Sequence, residues 1–135
     1  MRRNRIPQSI IKRERERSKK FEQEFQNALN SILAEYPADC GKMIHRAWQL
    51  WAQADSELKY ARCCYTVQDS GVKLFKSEIA QENWKSSMEK TQGLYQQYQE
   101  LKAQVCETYN IHPDKVAELV KQINDALNQI NPCPF

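Results

Sequence analysis

The chain has 135 residues, a formal net charge of +3 and 41% hydrophobic residues, a composition that excludes an intrinsically disordered chain. This length fits one domain that can bury a core without metal or disulfide support. Only 3 glycines and 5 prolines are present, too few turn-forming residues for a many-stranded β fold. Because good helix formers dominate the middle of the chain, the composition predicts an all-α fold.

The charge is distributed unevenly along the chain. Residues 1–20 contain nine Lys or Arg and two Glu, a net +7, which leaves −4 for the remainder. Residues 1–8 are predicted to form a disordered basic arm that ends near Pro7, and residues 132–135 an irregular tail. A basic arm on a mildly acidic body indicates an anionic partner for the arm.

A single helical domain is predicted over residues 9–131, beginning with two amphipathic helices. The first runs over about 9–36 and has an apolar stripe only from Phe21 onward, so its basic first half is expected to protrude or fray. Pro37 ends this helix. The second helix extends to about residue 68, and its apolar face, which includes Trp48 and Trp51, is predicted to be the central core seam.

Two further helices complete the predicted four-helix architecture. After a turn at Gly71, a third helix is expected over 73–109, with apolar spacing close to 3.5 residues that favours coiled-coil-like packing. A fourth follows from Pro113 to Asn131. The second and third helices would form a long antiparallel hairpin flanked by shorter helices. Because those helices are too short to cover its seam, a homodimer or larger oligomer is expected.

The basic segment is the first candidate site. Arginine outnumbers lysine in it, and the planar guanidinium suits bidentate phosphate contacts. Without an aromatic residue among the first twenty, the arm is unsuited to stacking on single strands, which favours duplex DNA or a nucleoprotein complex. The alternative is a solvated helix with Glu14–Arg17 and Glu16–Lys20 pairs. The predicted phosphate contacts are Arg2, Arg3, Arg5, Lys12, Arg13, Arg15, Arg17, Lys19 and Lys20.

Part of this region resembles a basic helix-loop-helix segment. The resemblance rests on Glu14-Arg15-Glu16-Arg17, two phenylalanines, the Pro37 loop and an amphipathic stretch over 43–48. It covers less than half the chain, departs at Ser18 and Ala28, where the motif has Arg and Leu, and gives the last two helices no counterpart. It implies dimeric binding in the DNA major groove, with Glu14 and Arg17 reading bases.

A second function is docking on a protein partner, as an adaptor or inhibitor without nucleic-acid binding. Exposed tyrosine and glutamine beside an apolar seam favour a protein interface, and the third helix carries such a stretch over 95–99. The predicted interface residues are Trp84, Met88, Tyr95 and Tyr98.

The thiols and histidines indicate neither a metal site nor catalysis. Five cysteines occur without a Cys-x-x-Cys spacing, and adjacent Cys63 and Cys64 point in different directions on a helix. Cys106 and His112 flank one break, but no glycine-rich loop or nucleophile motif accompanies them. We therefore expect a non-enzymatic protein with free thiols, without cofactor, metal or small-molecule substrate.

With no signal sequence and no membrane-length apolar run, the protein is predicted to be cytoplasmic, or nuclear in a eukaryote.

Overall fold

A computed structural model describes residues 7–130, and these residues confirm the predicted all-α class. Four helices dominate, and one antiparallel two-stranded sheet lies between the second and third of them. Residues 1–6 of the predicted arm, and the predicted tail at 132–135, lie outside the described residues. The elements in chain order are α1 (Gln8–Ile32), α2 (Ala38–Arg62), β1 (Tyr65–Val67), β2 (Lys73–Phe75), α3 (Glu78–Tyr109) and α4 (Pro113–Ile130).

The connection from α1 to α2, residues 33–37, is longer than predicted. Helix α1 ends at Ile32 rather than near residue 36, and the Tyr36 N–H donates to the Leu33 carbonyl at 3.1 Å. Pro37 accounts for this early end, because it has no N–H for the Leu33 carbonyl and its ring would clash with that group in a continuing helix. The chain therefore leaves the helix before Pro37. The Pro37 carbonyl then accepts the Gly41 N–H at 2.9 Å, which starts α2.

The hairpin between α2 and α3 corrects the helical predictions for residues 63–68 and 73–77, while Gly71 lies in a turn as predicted. Gly71 has φ 85°, its N–H donates to the Gln68 carbonyl at 2.8 Å, and the Gln68 N–H donates to the Val72 carbonyl at 2.9 Å. This is the three-residue hairpin loop with glycine in the left-handed region. Ser77 then caps α3 by accepting the Ala80 N–H at 3.1 Å.

Small side chains line the contact between α2 and α3. Ala47, Ala54 and Ala61 recur every seven residues on α2 and are almost completely buried. On α3, Ser87 and Thr91 are buried as well, and the Thr91 hydroxyl donates to the Ser87 carbonyl at 2.7 Å. Small residues allow two helix backbones to approach closely, so this upper part of the hairpin is held by a narrow seam. Coiled-coil packing as such stays a prediction.

The main core lies at the lower end of the hairpin, where α1 and α4 pack on it. Its buried cluster includes Ile44 on α2, Val105 on α3, and Val116 and Ile123 on α4. Leu50 is also buried, although the sequence analysis placed it on no apolar face.

Helix α1 runs antiparallel to α2. Leu33 lies beside Gly41 near the start of α2, and the Phe25 ring is 5.3 Å from the Trp48 ring, two turns further along. Within residues 7–130, α4 extends along α1 as far as a groove lined by Ile130 and Phe21. The first three turns of α1 therefore extend beyond the core, toward the same end of the molecule as the β-hairpin.

Candidate nucleic-acid interface and hairpin-end patch

The basic half of α1, residues 8–20, carries most of the predicted phosphate contacts. Every residue from 12 to 20 is exposed. Within this stretch six cations outnumber two glutamates, for a net charge of +4. Arg2, Arg3 and Arg5 lie outside the described residues. The six cations that the structure brings onto this helix are Lys12, Arg13, Arg15, Arg17, Lys19 and Lys20.

These cations form a broad basic surface. At the helical advance of about 100° per residue, they span an arc of about 200° around the helix axis. The arc lies opposite the line that continues the Phe21 and Phe25 stripe, so the core-facing side is the one without basic residues. Glu16 alone interrupts the arc. Such a surface can meet phosphates on two sides of the helix at once.

Two ion pairs neutralise part of the basic half. The Arg17 guanidinium lies 3.7 Å from a Glu14 carboxylate oxygen, and the Lys20 Nζ lies 3.9 Å from Glu24. The predicted Glu16–Lys20 pair is replaced by this Lys20–Glu24 pair. Both pairs are exposed, so each contributes only about 0.2–1 kcal/mol. Among residues 7–130, Lys12, Arg13, Arg15 and Lys19 have no acidic group within salt-bridge distance.

An open groove of about 540 Å³ borders the basic half where α1 meets the end of α4. Phe21 and Ile130 supply apolar surface, and Arg17 and Lys20 supply positive charge. The groove is open to solvent along its length, so it offers a surface contact rather than an enclosed ligand site.

The predicted protein-interface residues occupy different environments along α3. Trp84 is half-buried beneath the sheet, with its ring 5.4 Å from Phe75, and Met88 and Tyr95 are half-buried. Tyr98 is only 6% exposed and belongs to the main core. Burial, together with the nearby Cys106 thiol, raises the pKa of Tyr98. Tyr98 therefore acts as a core residue, while docking through the other three stays a prediction.

The sequence analysis missed a set of exposed apolar residues that we call the hairpin-end patch. Five large apolar side chains project into solvent here, and Val67 and Ile79 are 63% and 69% exposed. On the face of the sheet that carries Val67, the Lys73 ammonium lies 5.1 Å from the Tyr65 ring and 4.9 Å from the Trp84 ring, a cation–π contact that fixes the sheet on α3. The patch consists of Tyr60, Val67, Val72, Leu74 and Ile79.

The cysteine and histidine side chains of the described residues do not form a common site. His45 packs beside both Phe25 and Trp48, and burial lowers its pKa. Burial also raises the pKa of Cys40. The Nδ1 atom of His112 accepts the Asp114 N–H at 3.1 Å, and no hydrogen bond joins His112 to Cys106 among the described residues. Within residues 7–130, no group of three or more His, Cys, Asp or Glu is arranged to hold a metal ion.

No family model, curated protein or solved structure matches this chain. Among the described residues, each helix is too short or too polar to cross a membrane. Two surfaces of the molecule therefore remain as candidate functional sites, the basic half of α1 and the hairpin-end patch.

Proposed function

We propose that this protein is a non-enzymatic nucleic-acid-binding protein that contacts duplex phosphates through the basic half of α1. The observation that carries the proposal is three turns of exposed helix with a broad arc of cations, four of them without an ion-pair partner among the described residues. Arginine and lysine on an exposed helix supply the sequence-independent phosphate contacts on which duplex binding depends.

The shape of this segment favours a duplex over a single strand. A helix with its side chains is about 10–12 Å wide, which matches a major groove about 12 Å wide. The segment projects beyond the end of α4, so a duplex can approach it without meeting the core. Since residues 7–20 contain no aromatic side chain, stacking on unpaired bases has no support from this surface.

Salt dependence of binding tests the proposal most directly. One variant replaces the four unpaired cations with glutamine: Lys12, Arg13, Arg15 and Lys19. If each contacts a duplex phosphate, the slope of log affinity against log salt should fall by about 3.6, since each contact contributes about 0.9. Fluorescence anisotropy with labelled duplex and single-stranded oligonucleotides measures this slope.

The matched control removes the same charge from the body of the protein. It replaces four exposed lysines with glutamine: Lys42, Lys85, Lys90 and Lys121. Because these lie outside the basic half, the control should keep nearly the parental slope. An equal loss in both variants would show that net charge, rather than the basic half, governs binding. Absence of binding by the parent chain at low salt would refute the nucleic-acid proposal.

Protein docking is the second candidate function. The observation that favours it is the hairpin-end patch, five exposed large apolar side chains at one end of the α2–α3 hairpin, because exposed apolar surface of this kind is typical of interaction sites. In the protein-docking hypothesis, the basic half of α1 does not need to bind a polyanion.

A further inference from the structure

The outer edge of β1 is available for pairing with another strand. The Gln68 N–H donates to Val72 across the hairpin, so Gln68 faces β2. Backbone groups alternate in direction along a strand, and Thr66 therefore also faces β2, opposite Leu74. The N–H and C=O groups of Tyr65 and Val67 then point away from β2. Among the described residues, no third strand pairs with them.

The two edges of the sheet differ in charge, and therefore in how readily another strand can pair with them. The β2 edge carries Lys73 and is followed by Lys76, and lysine on an edge strand opposes pairing with other chains. The β1 edge consists of Tyr65, Thr66 and Val67, an uncharged run of residues that favour strands. It is therefore the edge on which a further strand can add.

We propose that a second copy of this chain pairs with the β1 edge, which forms an antiparallel four-stranded sheet across a two-fold axis at Thr66. In this register Tyr65 lies opposite Val67 of the second copy, and Val67 opposite Tyr65 of the second copy. Aromatic residues paired with β-branched ones are favourable cross-strand neighbours. The strand is thus complementary to itself, as an isologous two-fold interface requires.

Charge at this end of the molecule is also compatible with self-association. Residues 60–82 contain three cations and three anions, so two copies meet without net repulsion. This end of the molecule has no excess positive charge to attract an anionic lipid or nucleic-acid surface, in contrast to the basic half of α1. A three-residue strand buries far less than the roughly 800 Å² per partner of standard interfaces, so a weak dimer is expected.

A charged residue introduced at position 66, on the two-fold axis, tests the proposed dimer. Thr66 is exposed, and in this register the two Thr66 residues form a non-hydrogen-bonded pair with Cα atoms about 4.5 Å apart. Like charges placed directly opposite each other destabilise such a pair. The variants Thr66→Lys and Thr66→Glu should therefore each be monomeric by sedimentation velocity, whereas an equal mixture of them should recover dimer. Ile79→Lys is the matched control, because it adds a charge to the hairpin-end patch away from β1 and should dimerise like the parent.

Hydrogen exchange of the parent chain gives an independent readout without substitution. Protection of the Tyr65 and Val67 amides should rise from low micromolar to near-millimolar protein, while the Thr66 amide changes little because it already faces β2. A parent chain that stays monomeric over this range would overturn the proposal. So would parental dimerisation of Thr66→Lys, or a mixture of the two Thr66 variants that stays monomeric.

Discussion

Replacement of Trp48 with alanine should cause a large loss of folding stability. Trp48 is only 9% exposed, its ring packs 5.3 Å from Phe25 and 5.8 Å from His45, and it joins α1, α2 and α4. Deleting a buried tryptophan costs about 3–5 kcal/mol through lost transfer energy and the remaining cavity. Because small proteins unfold at a cost of about 5–15 kcal/mol, the variant should be close to the limit of folding.

The polar end of Trp48 contributes little of this loss. Its Nε1 donates to the Asn124 side-chain oxygen at 3.4 Å, longer than the usual 2.7–3.2 Å. Trp48→Phe, which keeps an aromatic ring but removes this donor, should therefore cost much less than Trp48→Ala. In a double-mutant cycle with Asn124→Ala, the coupling should be about 0.5 kcal/mol, at the low end for a hydrogen bond.

Guanidinium unfolding followed by far-ultraviolet circular dichroism measures these costs, because tryptophan fluorescence would itself change with the substitution. Trp51→Ala serves as a comparison and should cost less, since Trp51 is only half-buried. A Trp48→Ala variant within about 0.5 kcal/mol of the parent, the range of ordinary surface changes, would refute the assignment of the core.

Two further substitutions test the α2–α3 contact and the half-buried His45. Ala54→Leu should destabilise the protein by about 1–3 kcal/mol through overpacking of the narrow α2–α3 seam, whereas Gln53→Leu on the exposed face should have little effect in the same denaturation assay. Burial lowers the pKa of His45 below its ordinary 6.5, so the stability of the parent should be fully present above pH 6.5 and fall as the pH drops toward the folded-state pKa. His45→Gln should lack this loss in a pH series of urea denaturation curves, and an equal loss in both proteins would contradict the assignment.

Helical periodicity predicted the parts of the fold where the buried residues of a helix lie along one apolar face. The stripe from Phe21 to Ile32 and the face of α4 both lie against the core, and Pro113 begins α4 as expected. The same reasoning overlooked Leu50, because α2 is contacted by α3 on one side and by α4 on another. A helix contacted from two directions has two buried faces, and a search for one stripe finds only the first.

Local sequence signals at residues 65–75 were outweighed by the helical composition around them. Tyr65-Thr66-Val67 favours a strand, and a glycine three residues after Gln68 fits a hairpin loop, so the information was present in the chain. The hairpin-end patch was missed with it, because side chains such as Ile79 were assigned to a helical seam. The basic half of α1 was easier to predict, since charge and the lack of an apolar stripe both depend on sequence alone.

The two ends of the α2–α3 hairpin differ in how much apolar surface they bury, and therefore in the free energy needed to open them. At the lower end, residues such as Ile44 and Val105 belong to a core built from four helices, whereas, within residues 7–130, only two helices meet above Ala54, and their large side chains there are no more than half-buried. Segments with few buried apolar contacts form separate cooperative units that open at lower free energy than global unfolding. We therefore expect the tip of the hairpin to open at a lower free energy than the lower end, which would remain folded.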